Sequence, residues 1–389
     1  MKKDFRKFKK NGGAAMLISV VFFLFISLAI IAGLVSPTVR EFKNASVNLN
    51  SKKSYFLSES GSEDAAYRII NNMTIGSSET ITLDSNSATT VITSPSGGVK
   101  QIISLGDVSS YQRSTNITLS NGVGVSFNYG VQIGAGGLEM GNNSTVVGNV
   151  YSNGSITGSN GATVTGDAFA VGTISDVSVG GQTQTGVTSE DFPIPDDQIN
   201  SWEAEAEAGG TVSSQIYSGV NNSLGPKKIN GNLTLDNNAV LTVTGTLWVT
   251  GEIKLSNGSI MQLASGYGIL SGVVVAGIEG SSGAGYIEVD NNSQANGSGT
   301  AGSYLMLLSQ RNDTSSTAIK ISNNGASVIL YTGTGVVEID NNAQLKEVTA
   351  YKLKLKNGSD VTYESGLASV YFSSGPSSGY SINGWKEIE

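Results

Sequence analysis

Glu288 and Asp290, and again Glu338 and Asp340, place two carboxyl groups two residues apart on what reads as a strand. Paired carboxylates are what general acid and base catalysis at a glycosidic bond requires. These pairs, however, recur at equivalent places in a repeat, IEVDNNS and VEIDNNA, whose sister copies IKLSNGS and IKISNNG put lysine at the outward position. A catalytic pair is needed once, so the recurrence reads as scaffold and no enzyme is expected. Cys and His are both absent, which excludes imidazole and thiolate chemistry, disulfides and the usual zinc sites. A second acidic concentration, EDFPIPDDQINSWEAEAEAGG at 190–210, has seven acids and no base. Glu203, Glu205 and Glu207 lack the loop glycine and oxygen spacing of a calcium loop, so neither metal nor cofactor is expected. The net charge of −8 argues against nucleic acid as a partner. Trp202 and Trp248 have the type of a sugar platform, although Trp248 sits in LWV and reads as core. Trp385 near the C-terminus reads as a plug over a last coil.

The elements that must carry these side chains are repetitive. Six segments share apolar-x-apolar-x-Asn-(Asn or Gly)-small: LTLDNNA at 233, IKLSNGS at 253, IEVDNNS at 287, IKISNNG at 319, VEIDNNA at 337 and LKLKNGS at 353. Their starts fall 20, 34, 32, 18 and 16 residues apart. The short intervals suit one coil of a parallel β-solenoid, and the long ones leave room for an extra coil or an inserted loop. Apolar residues two apart share one side of a strand and should line an interior wall. Asn tolerates the left-handed backbone of a sharp corner, and stacked amides can bond from coil to coil. Asn237, Asn257, Asn291, Asn323, Asn341 and Asn357 are therefore expected to form a structural ladder. The outward residues Glu288, Lys320, Glu338 and Lys354 alternate in sign, which favours pairing of consecutive copies. Earlier in the chain, TVVGNVYSNGSI at 145–156 aligns without gaps on TVTGDAFAVGTI at 163–174, an 18-residue period that predicts a first solenoid segment.

At the other end of the chain, residues 14 to 35 carry no charge, and six Lys or Arg stand among the first ten residues. Twenty-two helical residues span roughly 33 Å, enough to cross a hydrocarbon core of ~30 Å. The basic flank orients the helix with its N-terminus in the cytoplasm and the rest of the chain extracellular or periplasmic. Three readings compete: a cleaved secretory signal, for which the apolar run is long; a plain anchor, which leaves Gly12-Gly13 unexplained; and a segment processed at that glycine pair. Beyond Pro37, which either kinks the helix or begins a second, Val39, Phe42, Leu49, Phe56, Tyr67 and Ile70 make one apolar stripe. Such a stripe packs on neighbouring stems or covers the chain's own β domain.

A basic leader, a Gly and a long apolar helix is the arrangement of type IV prepilins. KKNGGAAMLISVVFFLFISLAI followed by KKSYFLSESGSEDAAYRI resembles the N-terminal region of PilX-type minor pilins over about residues 8 to 72. The closing motif of that family falls on Phe56, Glu59, Gly61, Ala65 and Ala66. The resemblance implies cutting by a prepilin peptidase after Gly13, before Ala14, with Gly12/Gly13 the second choice. It also implies membrane lipid and other pilin-like subunits as partners, met through Ala14, Met16, Ile18, Phe22, Phe25, Ile31 and Val35, and a place in a pilus. Major pilins have Glu at the fifth mature position; here it is Ile18, or Leu17 with the alternative cut, and no acid occurs between Asp4 and Glu41. An unpaired buried charge is costly, so the subunit cannot neutralise a neighbour's N-terminus in the usual way. By the same resemblance, a subunit without that Glu is expected to be a minor rather than a bulk one.

The expected fold is mainly β, with a long N-terminal α-helix (transmembrane plus amphipathic), then a β-sheet head and parallel β-solenoid or β-helix domains. The boundaries expected are 1–13 leader, 14–72 helix, 73–130 head, 131–188 first solenoid segment, 189–210 acidic linker with a short solvated helix, and 211–389 parallel β-helix. The expected function is a PilX-like minor pilin or pilus-assembly surface protein displaying a β-helix for structural contact or adhesion. The rival is a non-polymerising anchored adhesin that binds surface glycans or other cells; a carbohydrate-active enzyme is the remote alternative.

Overall fold

A computed structural model describes residues 12–70, 73–96, 99–120, 123–326, 329–356, 358–373, 375 and 380–388. The leader up to residue 11 and Asn357 of the expected ladder lie outside the described residues. The chain divides into two compact units, one holding the residues up to Thr93, Gln101–Thr118 and those from Gly384, the other holding Ser94–Lys100 and Leu119–Asn383.

In the first unit, α1 (Gly12–Ile70) is one continuous helix of 59 residues, about 88 Å long at 1.5 Å per residue. Pro37 lies inside it. Beside the missing proline N–H, Thr38 Oγ1 donates to the Leu34 carbonyl at 2.8 Å. The first part of the helix is long and apolar enough to cross a membrane, and its side chains are exposed. The second part presents a face of small residues to an antiparallel sheet. Leu57 meets Ala88 and Val108, while Ser54, Ser58, Gly61, Ser62, Ala65 and Ala66 are buried. Small side chains let backbone approach backbone: a Cβ on Gly106 would collide with the Ser54 carbonyl and the Ser58 amide, and one on Gly61 with Ser104 and Thr90. The serines satisfy what this close contact buries. Ser54 Oγ donates to the Gly106 carbonyl at 2.7 Å, and Thr115 Oγ1 donates to the Ser58 carbonyl at 3.1 Å. The sheet order is Ser78–Leu83, Asn86–Ser96, Val99–Val108, Tyr111–Ser120, Ser381–Ile388. Its last strand thus comes from the chain terminus, a segment expected in the β-helix. Trp385 lies on that strand of the antiparallel sheet and is exposed.

The second unit is built from parallel strands stacked coil on coil. Leu233 pairs with Ile253, Ile253 with Ile287, Ile287 with Ile319, Ile319 with Val337 and Val337 with Leu353. Consecutive repeat copies are therefore neighbours at every interval, and the 34- and 32-residue spacings hold inserted loops rather than extra coils. Leu353 pairs in turn with Leu138, Leu138 with Ile156 and Ile156 with Ile174. The two parallel arrays stack as one, with the last coil of the second array seated on the first coil of the first. The large parallel sheet closes on itself. Ile329–Ile339 joins both Leu305–Ser309 and Thr317–Ile321, and Lys227–Asp236 joins both Leu247–Val249 and Ile253–Leu255. Each of these long strands bends through a corner and serves two faces. A separate ladder, Asn221–Leu224, Val240–Val243, Ile260–Leu263, Gln294–Asn296, supplies the third. Inside runs a column of fully buried Leu, Ile and Val, each stabilising the stack by ~1.5–3 kcal/mol relative to exposure.

One outer face is covered as well. Gly272–Ala276 (GVVVA) and Leu305–Ser309 (LMLLS) are buried on both sides. Their outward Val273, Val275, Met306 and Leu308 join Phe127, Ile199, Trp202, Tyr331 and Phe372 in a second apolar layer.

Candidate functional site

On α1, Ala14, Met16, Ile18, Phe22, Phe25, Ile31 and Val35 are all exposed, and Gly13 has open space where a Cβ would be. Gly12 opens the helix. The stripe beyond Pro37 does not cover the chain's own sheet. Val39, Phe42, Leu49, Phe56 and Tyr67 stay exposed, Phe42 at 76%. The sheet takes instead the small-residue face. Of the family-like motif, Gly61, Ala65 and Ala66 are in that contact, Glu59 accepts a long bond of 3.5 Å from Tyr55, and Phe56 points outward. Val39, Phe42, Leu49 and Phe56 thus form an exposed apolar row along the helix.

In the parallel unit the corner asparagines carry left-handed backbone in pairs. Asn237 and Asn238 have φ of 54° and 60°, Asn291 and Asn292 51° and 61°, Asn323 and Asn324 51° and 60°, Asn341 and Asn342 53° and 60°. Asn257 at 52° is followed by Gly258 at 74°. Two successive left-handed residues explain why the motif reads Asn-Asn or Asn-Gly. The side-chain path alternates between amide and acid. Asn291 Nδ2 donates to Asn257 Oδ1 at 3.3 Å and Asn341 Nδ2 to Asn323 Oδ1 at 2.9 Å. Between those steps Asn257 donates to Asp236 and Asn323 to Asp290, each at 2.7 Å, with Ser256 and Ser322 adding hydroxyl bonds to the same carboxylates. The bonds from Asn257 and Ser256 hold the Asp236 carboxyl below its ordinary range. Asp290 and the outward glutamates are thereby occupied. Glu288 is bridged to Lys254 at 3.0 Å and Glu338 to Lys356 at 2.7 Å.

The acidic segment differs most from its expected role. Thr183–Thr185 is the edge strand at one end of the stack, and Thr211–Ser218 pairs with Lys227–Asp236 at the other. The chain between them therefore runs back along the covered face as a strap. Tyr151 donates to the Thr188 carbonyl. Asn153 exchanges bonds of 2.7 and 2.9 Å with the Glu190 backbone. Gln132 donates to the Asp191 carbonyl at 2.9 Å and Tyr331 to the Ile194 carbonyl at 2.8 Å. Helix α2 (Asp196–Ala208) continues the strap and is not a solvated connector. It buries Ile199, Trp202 and Ala206, with Trp202 edge-on to Phe372 at 5.6 Å. Trp202 is 1% exposed, which removes it as a sugar platform. Trp248 is half-buried, its Nε1 donating to the Gly277 carbonyl and the Lys228 ammonium 4.0 Å above its ring. Lys228 also bridges Glu207 at 2.9 Å, fastening the end of the helix.

Beneath the N-terminal half of α2 lies a cavity of about 260 Å³. It opens where the two long-interval coils send out their inserted loops, beginning at Gly277 and Gln310. Asp196 and Asn200 reach it from the helix, Glu279 and Asn312 from the loops, Gln310 and Thr334 from the coil edge. Gln310 Oε1 and the neighbouring Glu203 Oε1 are buried without partners. Burial pushes the Glu203 carboxyl up to about 7. Among the described residues no group of three or more acidic side chains is arranged to hold a metal ion.

No family model matches the chain, and no curated protein matches it. Among solved structures it is similar to the competence-associated pilin ComZ from Thermus thermophilus, at 9% identity and a TM-score of 0.24, over 87% of this chain and 98% of that one.

Proposed function

We propose that this chain is a membrane-inserted minor pilin of PilX type that displays the parallel β unit outside the cell for structural contact or adhesion. The observation that carries the reading is the exposed, uncharged start of α1 behind a basic leader and a glycine pair, continued by an apolar stripe that the chain's own sheet leaves uncovered. A lipid core and neighbouring pilin stems are the environments in which such a surface is satisfied. The lack of any acid between Asp4 and Glu41 supports a place at a filament end or in assembly rather than in the bulk. Prepilin peptidase would cut between Gly13 and Ala14, leaving the N-terminus cytoplasmic before extraction and the C-terminal bulk extracellular or periplasmic.

No catalytic role is proposed: the recurring carboxylates are engaged in ion pairs and corner bonds that repeat from coil to coil. Sequencing the mature N-terminus from sheared surface filaments and from membranes tests the reading. A start at Ala14 in both fractions supports it. A start at Met1 with protein confined to membranes replaces it with a stationary anchored adhesin.

A further inference from the structure

We propose that the cavity beneath α2 binds a single neutral sugar residue. Its lining converges hydrogen-bonding groups of both senses: carboxylates at Asp196 and Glu279, amides at Asn200, Gln310 and Asn312, and the Thr334 hydroxyl. Carboxylates only accept, amides donate and accept, and a ligand that meets both must do the same at several points, as a ring of hydroxyls does. Ile199 and Tyr331 add only narrow apolar edges to this lining, at 7% and 3% exposed. The volume of about 260 Å³ suits one ring rather than a chain of them.

Other ligand classes fit less well. Among the described residues no Lys or Arg lines the cavity, and Asp196 and Glu279 oppose a phosphate, sulfate or carboxylate. A polyamine offers donors alone and leaves the amide N–H groups of Asn200 and Asn312 without acceptors.

The site builds on the surface-display reading only for its biological use, and its test is independent of it. Purified full-length protein in detergent is titrated by calorimetry with D-glucose, D-galactose, D-mannose and N-acetyl-D-glucosamine, with N-acetylneuraminic acid and spermidine as charged probes. At least one neutral sugar is expected to bind with millimolar or better affinity, and the two charged probes at least tenfold more weakly. Asn200→Ala and Asn312→Ala, each checked for an unchanged circular dichroism spectrum, should weaken that binding at least tenfold. If either variant loses its fold, Glu279→Ala on the exposed loop takes its place. Absence of binding by every neutral sugar, tighter binding of either charged probe, or unchanged binding in the folded variants overturns the proposal. A chain that binds sugar but begins at Met1 keeps the site and loses the pilus reading; processing at Ala14 without sugar binding does the reverse.

Discussion

Glu139 stands directly across from Lys354 on the neighbouring parallel strand, although the two belong to different repeat arrays of the sequence. The pair closes an alternating row, Lys254, Glu288, Lys320, Glu338, Lys354, Glu139, each member in register with the next. Glu139 also touches Lys352 at 2.5 Å. The charges therefore mark the seam where the chain's last coil accepts its first, as well as the order of the six motif copies.

Reversing that charge should weaken the seam selectively. Glu139→Lys sets three lysines together across two strands, a loss of about 0.5–1 kcal/mol at low salt that fades as salt screens it. Denaturant unfolding at two ionic strengths measures it. Adding Lys354→Glu should restore part of the loss, and independence of the two changes would show that the row is ornamental.

The corner residues separate backbone conformation from amide bonding. Asn291 and Asn292 both have positive φ. Asn291→Gly keeps the left-handed backbone and loses one bond, about 0.5–1.5 kcal/mol. Asn291→Val loses the bond and adds roughly 1–2 kcal/mol of backbone strain. Thermal unfolding should rank wild type, Gly variant, Val variant. A Val variant as stable as the Gly variant would contradict the assigned corner geometry.

The strap depends on its tryptophan. Trp202 is enclosed by the second apolar layer, and Trp202→Ala should cost about 3–5 kcal/mol locally. Limited proteolysis should then cut first between residues 188 and 210, ahead of the coils. Cutting at the same rate as in wild type would mean that the strap is held by its backbone bonds alone.

Much of the parallel unit is readable from residue pattern. The apolar-x-apolar repeat gave the interior column, and Asn at fixed offsets gave the corners, because both follow from strand alternation and left-handed backbone within a few residues. The stacking of Leu353 on Leu138 was hidden because periodicity says nothing about which ends of two arrays meet. The charge row held that information, since Glu139 in LEM continues the alternation. The burial of Trp202 was missed for a different reason. Seven acids made the segment read as solvated, yet Ile199, Trp202 and Ala206 fall on one helical face, flanked by the half-buried Glu203 and Glu205. The matching signal was the unbroken apolar runs GVVVA and LMLLS, which mean strands covered on both sides. The cavity was foreshadowed only by the two long repeat intervals, whose loops the sequence could not distinguish from coils.

Gly106 tests the helix contact in the first unit. Its missing Cβ leaves room for the Ser54 carbonyl and the Ser58 amide, so Gly106→Ala must push helix from sheet by backbone displacement. A loss of about 1–3 kcal/mol is expected. Ser54→Ala, which removes only the 2.7 Å bond to the Gly106 carbonyl, should cost about 1 kcal/mol. Hydrogen exchange on residues 54–66 reads both, and wild-type protection in the Gly106→Ala protein would sink the close-approach argument.

Glu347 gives the parallel unit a pH dependence of predictable sign. The side chain is fully buried. Thr349 donates to Oε1 at 2.6 Å, and Oε2 has no partner. Burial raises its carboxyl well above the usual range, so the native state keeps a proton that the unfolded chain gives up. Tyr331 and Tyr363 share this environment, and neither offers a positive charge. Native stability contributed by the protonated acid is complete below the ordinary glutamate range and falls as pH rises above it. Glu203, raised to about 7 by burial, acts in the same direction. Glu347→Gln removes the titration while preserving an acceptor for Thr349. Its melting temperature should exceed that of wild type at about pH 8 and nearly match it at about pH 4. An unchanged slope of stability with pH between those values would place the proton elsewhere.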